Sequence, residues 1–244
     1  MNFLDYLLLL VLAIVWPVYA YINMRLHPYE KIKDDHNIRM QSYNESLLTL
    51  WGLCIAVLLT WLHYQRPFEG LGFRLGSGWG LYAAWGLAVA GVAFSFSQSL
   101  QVRLDSKVRE KLEAQLRAVG EMTRFIMPVT DQENRRAMCL AITAGITEEV
   151  IFRGYLIWAL GMFANPWLAG LGSVLLFVLL HLYQDKAGLV QVTGFAIVAT
   201  MMYLISGSLW PCIFLHVGVD IFNIRLARYV WRHAVDSTDR PLAD

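Results

Sequence analysis

An uninterrupted apolar stretch from Phe3 to about Met24, with Asp5 as its one formal charge, constrains this chain more than any other feature. At ~1.5 Å of rise per residue it is long enough to cross ~30 Å of hydrocarbon as a helix. Further stretches near 45–64, 79–100, 137–160, 167–183, 187–206 and 208–226 repeat the pattern. The expectation is an all-α polytopic transmembrane helical bundle of about seven spans. The weakest, 167–183 and 208–226, leave room for a re-entrant or tilted segment. A hydrophobic content of 57% would also suit a greasy soluble chain, so the distribution carries the argument. No basic residue precedes the first stretch and no small-residue cleavage site follows it, which favours an uncleaved span over a signal peptide.

Short loops rich in Lys and Arg stay on the cytoplasmic side. With the N-terminus outside and the C-terminus cytoplasmic, the outer loops hold just Arg66 and Arg74 of the 20 Lys and Arg residues, and Arg153 alone sits deep within a span. Every other one falls inside: Arg25 to Arg39, Arg103 to Arg136, Lys186, and Arg225 to Arg240. Cys54, Cys139 and Cys212 lie in or beside apolar stretches, where a small hydrophobe serves packing, and imply no disulfide framework. A formal net charge of +1, with basic residues flanking spans, gives no case for a nucleic-acid partner.

The chain divides into peripheral spans at 1–104, a charged connection at 105–134, a polar-loaded core at 135–230 and a cytoplasmic tail at 231–244. Between 104 and 126, Leu104, Val108, Leu112, Leu116 and Val119 recur at helical spacing among charges. They predict an amphipathic helix, either interfacial or an extension of the third span. Residues 28–41 read as a polar loop. The glycines of 67–80 lack the Lys-Ser/Thr pair of a phosphate loop and read as a flexible external turn.

The last four stretches carry ionisable groups that are costly to bury unless they pair, line water or perform a function. Glu148 and Glu149 point about 100° apart on a helix. Glu149 can meet Arg153 at i,i+4, leaving Glu148 as the freer carboxylate and a candidate general base. Phe177 and His181 share a face, as do His216 and Asp220, with Asn223 about a turn beyond. Packing alone would account for a lone histidine or an ion pair; such groups on three spans favour a reaction centre. Ser173, Ser206 and Cys212 have no base at helical spacing and are not nominated as nucleophiles. Glu148, His181 and His216 are also the ligand types of a catalytic zinc, although His-Glu-x-x-His spacing is absent. A proton-coupled transporter and a non-enzymatic scaffold fit the same residues.

Glu148-Glu149-x-x-x-Arg153, Phe177-x-x-x-His181 and His216-x-x-x-Asp220, in that order, resemble the three motifs of the CAAX protease and bacteriocin-processing membrane family, also called CPBP or Abi. The likeness covers about 135–225. It implies an intramembrane endopeptidase with a cavity open toward the cytosol. By that comparison Glu148 activates water with His181 beside it, His216 and residue 220 support the oxyanion, and Glu149 and Arg153 organise the glutamate helix. Asp220 departs from the Asn of many relatives; an ionised Asp cannot donate to an oxyanion as Asn does. The resemblance implies a peptide or membrane-associated protein substrate, a lipid bilayer as surroundings and a bacterial plasma membrane as location. No cofactor is expected, with zinc the alternative.

Overall fold

The computed structural model describes residues 1–26, 36–118 and 127–238. These form eight helices, with no strand among the described residues: α1 (3–26), α2 (His36–His63), α3 (Trp79–Leu104), α4 (Ser106–Ala118), α5 (131–160), α6 (Pro166–Leu180), α7 (Lys186–Ser206) and α8 (Trp210–Thr238). Local chemistry explains the boundaries. Thr130 caps α5 in a reciprocal capping box with Glu133. Asn165 caps α6 just before Pro166. Asp185 caps α7, which ends at Gly207 in the left-handed region (φ 63°).

The helices run up and down between two ends. At the first, Arg66 forms a bidentate pair with buried Asp5 (2.7 and 2.6 Å), and the Tyr155 hydroxyl donates to the Asp5 carbonyl (3.1 Å). The Arg66 guanidinium also lies over the rings of Trp61 and Trp158. At the second, Glu133 holds Arg39 (3.0 Å) and His36 (2.7 Å), while Asp131 pairs with Arg228 and Arg232. The Arg228 hydrogen bond, reinforced by both positive charges, lowers the Asp131 pKa. Helix α5 runs between these ends, packed chiefly on α2 and α8, with α3 against α8.

Among the described residues, five helices, α1, α2, α3, α7 and α8, are long and apolar enough to cross a membrane. This corrects the expected count of about seven. The stretch near 137–160 lies within α5, whose polar side chains exclude it by composition and are turned into the bundle. The stretch near 167–183 is α6, an apolar helix of 15 residues, too short at ~1.5 Å per residue to match ~30 Å of hydrocarbon. By contrast 208–226, read as weak, belongs to the long α8.

Other expectations change as well. Helix α2 starts at His36, so 36–41 is not loop; 28–35 lies outside the described residues. The connection after α3 is not a straight extension: Asp105 is extended (φ −116°, ψ 113°), and its carboxylate accepts from the N–H of Lys107 and Val108 to start α4. Positions 119–126 lie outside the described residues. The glycine-rich turn is anchored, since Leu71 is fully buried and Gly72, at φ 92°, accepts from the Leu209 N–H (2.9 Å). A Cβ at Gly72 would meet Tyr203 at 2.6 Å, so both conformation and space require glycine there. Cys54 and Cys212 are buried as expected of packing residues, but Cys139 is exposed.

Two outcomes follow. In a background lacking the three native cysteines, single cysteines at Ser77 and Lys107, flanking α3, should label from opposite faces of sealed vesicles, Lys107 from the inside; labelling from one face contradicts the orientation. Arg66→Met should destabilise the protein by about 3 kcal/mol, because it strands the Asp5 carboxylate; reversible unfolding in detergent measures this, and an unchanged stability removes the role of the clamp.

Candidate active site

Close approach of α5 and α8 creates the site. Gly145 faces Val217 so tightly that a Cβ would lie 2.8 Å from the Val217 backbone nitrogen, and this contact sits one turn before Glu148 and Glu149 and directly beside His216. Just beyond, the backbone of α5 changes from α to π geometry over Glu149–Leu156, and all eight residues there are buried. π segments occur frequently at functional sites.

Glu149 is fully buried. Its Oε1 accepts from Arg153 Nη1 at 2.9 Å and lies 2.8 Å from His216 Nδ1. The expectation that Glu149 chiefly satisfies Arg153 is thus half of its role, because the same oxygen orients an imidazole on another helix. Arg153 reaches further, with Nη2 3.4 Å from the Ala196 carbonyl of α7 and its guanidinium 4.6 Å from the Phe177 ring centre on α6. Opposite charges in a low dielectric hold this group together, and the aromatic face adds a cation–π contribution.

His216 directs Nδ1 at Glu149, which leaves Nε2 toward the cavity. That nitrogen stands 3.9 Å from Glu148 Oε2 and 3.7 Å from Asp220 Oδ2, both beyond direct hydrogen-bond distance. His181 is the C-terminal cap residue of α6. Its Nδ1 lies 2.7 Å from the Phe177 carbonyl, an arrangement in which Nδ1–H donates and Nε2 keeps its lone pair. The imidazole stacks on the Phe177 ring at 4.5 Å and 26°.

Glu148, His181, His216, Asp220 and Asn223 all line one cavity of about 660 Å³, with Phe177 in its wall. Glu149 and Arg153 lie behind that wall and support it. The cavity reaches Asn23, Glu45 and Asn223, toward the end that holds Arg103 and Asp131. Apolar and aromatic side chains of α1 and α2, among them Trp16, Tyr19 and Leu50, form the facing side. Sequence reasoning passed over these, and also Phe195, whose ring lies 4.5 Å from His216; each is an apolar or aromatic residue in a membrane-span-like helix, where its spacing does not distinguish it from its neighbours. Ser173, Ser206 and Cys212 point at backbone carbonyls of Phe152, Met202 and Ala199.

Among the described residues, no three His, Cys, Asp or Glu side chains gather as metal ligands. Glu148, His181 and His216 share the cavity without forming the three-ligand set that a catalytic zinc requires.

Residues 135–222 match the family model described as Rce1-like, type II CAAX prenyl endopeptidase. The match spans all three motifs and bears out the resemblance read from them. Neither a curated protein nor a solved structure gives a significant match.

The two adjacent glutamates should respond unequally to neutralisation. Glu149→Gln weakens contacts to both Arg153 and His216 and should cost about 2–3 kcal/mol. Glu148→Gln, at a carboxylate without a direct hydrogen bond, should change stability by less than about 1 kcal/mol. Equal losses in detergent unfolding would contradict the division between a supporting and a cavity-facing carboxylate.

Proposed function

Because the segment that builds the cavity matches the Rce1-like CAAX endopeptidases, we propose that this membrane protein is an intramembrane endopeptidase that hydrolyses a peptide bond in a peptide or membrane-associated protein. The observation that carries the reading is the convergence of Glu148, His181, His216 and Asp220, from three helices, on one cavity.

In this mechanism Glu148 accepts a proton from water as the water oxygen attacks the scissile carbonyl. The Nε2 lone pair of His181 holds the second water hydrogen and orients the nucleophile. Negative charge then develops on the carbonyl oxygen. His216, carrying both ring protons, keeps Nδ1–H on Glu149 and directs Nε2–H to that oxygen, so the donor is aligned before the reaction begins. Collapse of the tetrahedral intermediate breaks the C–N bond, and Glu148 returns its proton to the leaving amine. Asp220, beside Nε2, positions His216 when ionised and donates to the oxyanion when neutral. Glu149 and Arg153 do not touch substrate; they fix the imidazole and the glutamate helix. The cavity takes substrate from the cytoplasmic side, with the N-terminus outside.

Purified protein should cleave members of a peptide library that includes prenylated and unmodified sequences. Glu148→Gln should lower the rate by about 10²–10⁴-fold, the usual contribution of a positioned base, while leaving the fold intact. Exhaustive chelation should leave the wild-type rate unchanged; loss on chelation with recovery by stoichiometric zinc would replace this mechanism by a metal-dependent one. Proton-coupled solute flux in proteoliposomes without cleavage would instead identify Glu148 and Asp220 as proton carriers.

A further inference from the structure

A second recess lies at the end of the bundle that holds Asp131, on a face of α8 separate from the cavity. Arg103 from α3, Asn134 from α5, and Arg225, Arg228, Tyr229 and Arg232 from α8 enclose about 340 Å³. The neighbouring Asp131 carboxylate engages Arg228 and Arg232. Arg103 lies over the Tyr229 ring at 5.1 Å, and no carboxylate balances Arg103 or Arg225 among the described ion pairs. The recess therefore carries more positive than negative charge. It also contains an incompletely used donor: Arg228 Nε is buried without a hydrogen-bond partner, and the Arg228 side chain is 14% exposed.

Planar guanidiniums that converge from two helices suit the tetrahedral oxygens of a phosphoryl group, which they can meet with paired N–H donors. Position selects the source. Arg103 follows Trp79, which is 77% exposed at the opposite end of α3, by about 36 Å of helix at ~1.5 Å per residue. A hydrocarbon layer of ~30 Å then places the recess among the headgroups. We propose that this recess binds the phosphoryl group of an anionic phospholipid. The lipid would bridge α3 and α8, the helix that carries His216 and Asp220.

Native mass spectrometry of the full chain released from micelles containing phosphatidylglycerol or phosphatidylcholine provides the test. Phosphatidylglycerol should be retained several-fold more than phosphatidylcholine, and R103Q/R225Q should reduce its retention at least fivefold. K107Q/K111Q, which removes two exposed charges from α4, should leave retention unchanged. R103K/R225K, with charge but no forked donors, should fall between wild type and the glutamine pair; it and single R225Q keep the test informative if R103Q/R225Q fails to fold. Full retention by R103Q/R225Q, or by R225Q and R103K/R225K where the double variant does not fold, overturns the proposal. An equal loss in K107Q/K111Q overturns it in favour of diffuse surface charge. Binding of inorganic phosphate in an Arg225-dependent manner, without retained phosphatidylglycerol, overturns the lipid source and leaves a phosphate site.

Discussion

The carboxylate of Glu149 is the point on which the interior depends. One of its oxygens meets Arg153 and His216, and through Arg153 the network reaches the Phe177 ring and the Ala196 carbonyl. Four helices, α5, α6, α7 and α8, therefore refer their positions to one small charged group. A buried ion pair is seldom more stabilising than well-packed apolar side chains of similar volume, because both charges must be desolvated. Its value here is directional: a carboxylate, a guanidinium and an imidazole accept few mutual geometries, and the geometry adopted leaves His216 Nε2 toward the cavity.

The ends of the bundle complement that centre. Asp5 with Arg66, and Glu133 with Arg39 and His36, lock sequence-distant helices together above and below the cavity. The first clamp attaches α1 to α5 through Tyr155. Farther along α1, Trp16 approaches Phe152 at 6.0 Å and contributes to the cavity wall. A charge at the start of the first apolar stretch thus fixes a surface that lies several helical turns away.

Much of this was legible in the sequence because it depends on local spacing. Glu149 meets Arg153, Phe177 stacks on His181, and His216 stands by Asp220, each four residues apart. The link from Glu149 to His216 was not legible, since it depends on how α5 approaches α8, and Gly145 showed no pattern marking it as the point of contact. The span count failed for a related reason. An apolar stretch does not say what surrounds it: the stretch near 137–160 carries Glu148, Glu149 and Arg153 into a middle enclosed by neighbouring helices, and α6 is only 15 residues long. The early start of α2 was hidden because its first turns are polar and bond to Glu133. The glycine-rich turn looked loose because nothing local reveals that Leu71 inserts into the core.

The π segment of α5 has a bearing on what can be varied. Most helices here keep a face turned outward, so their sequences form a periodic script in which every few letters can drift. Glu149 to Leu156 has no such face: all eight residues are buried, and at Gly154 a Cβ would approach the Leu71 carbonyl to 2.8 Å. This part of the chain behaves as a contiguous word, with no letter that answers to lipid alone. Its information is densest where the helix is least regular.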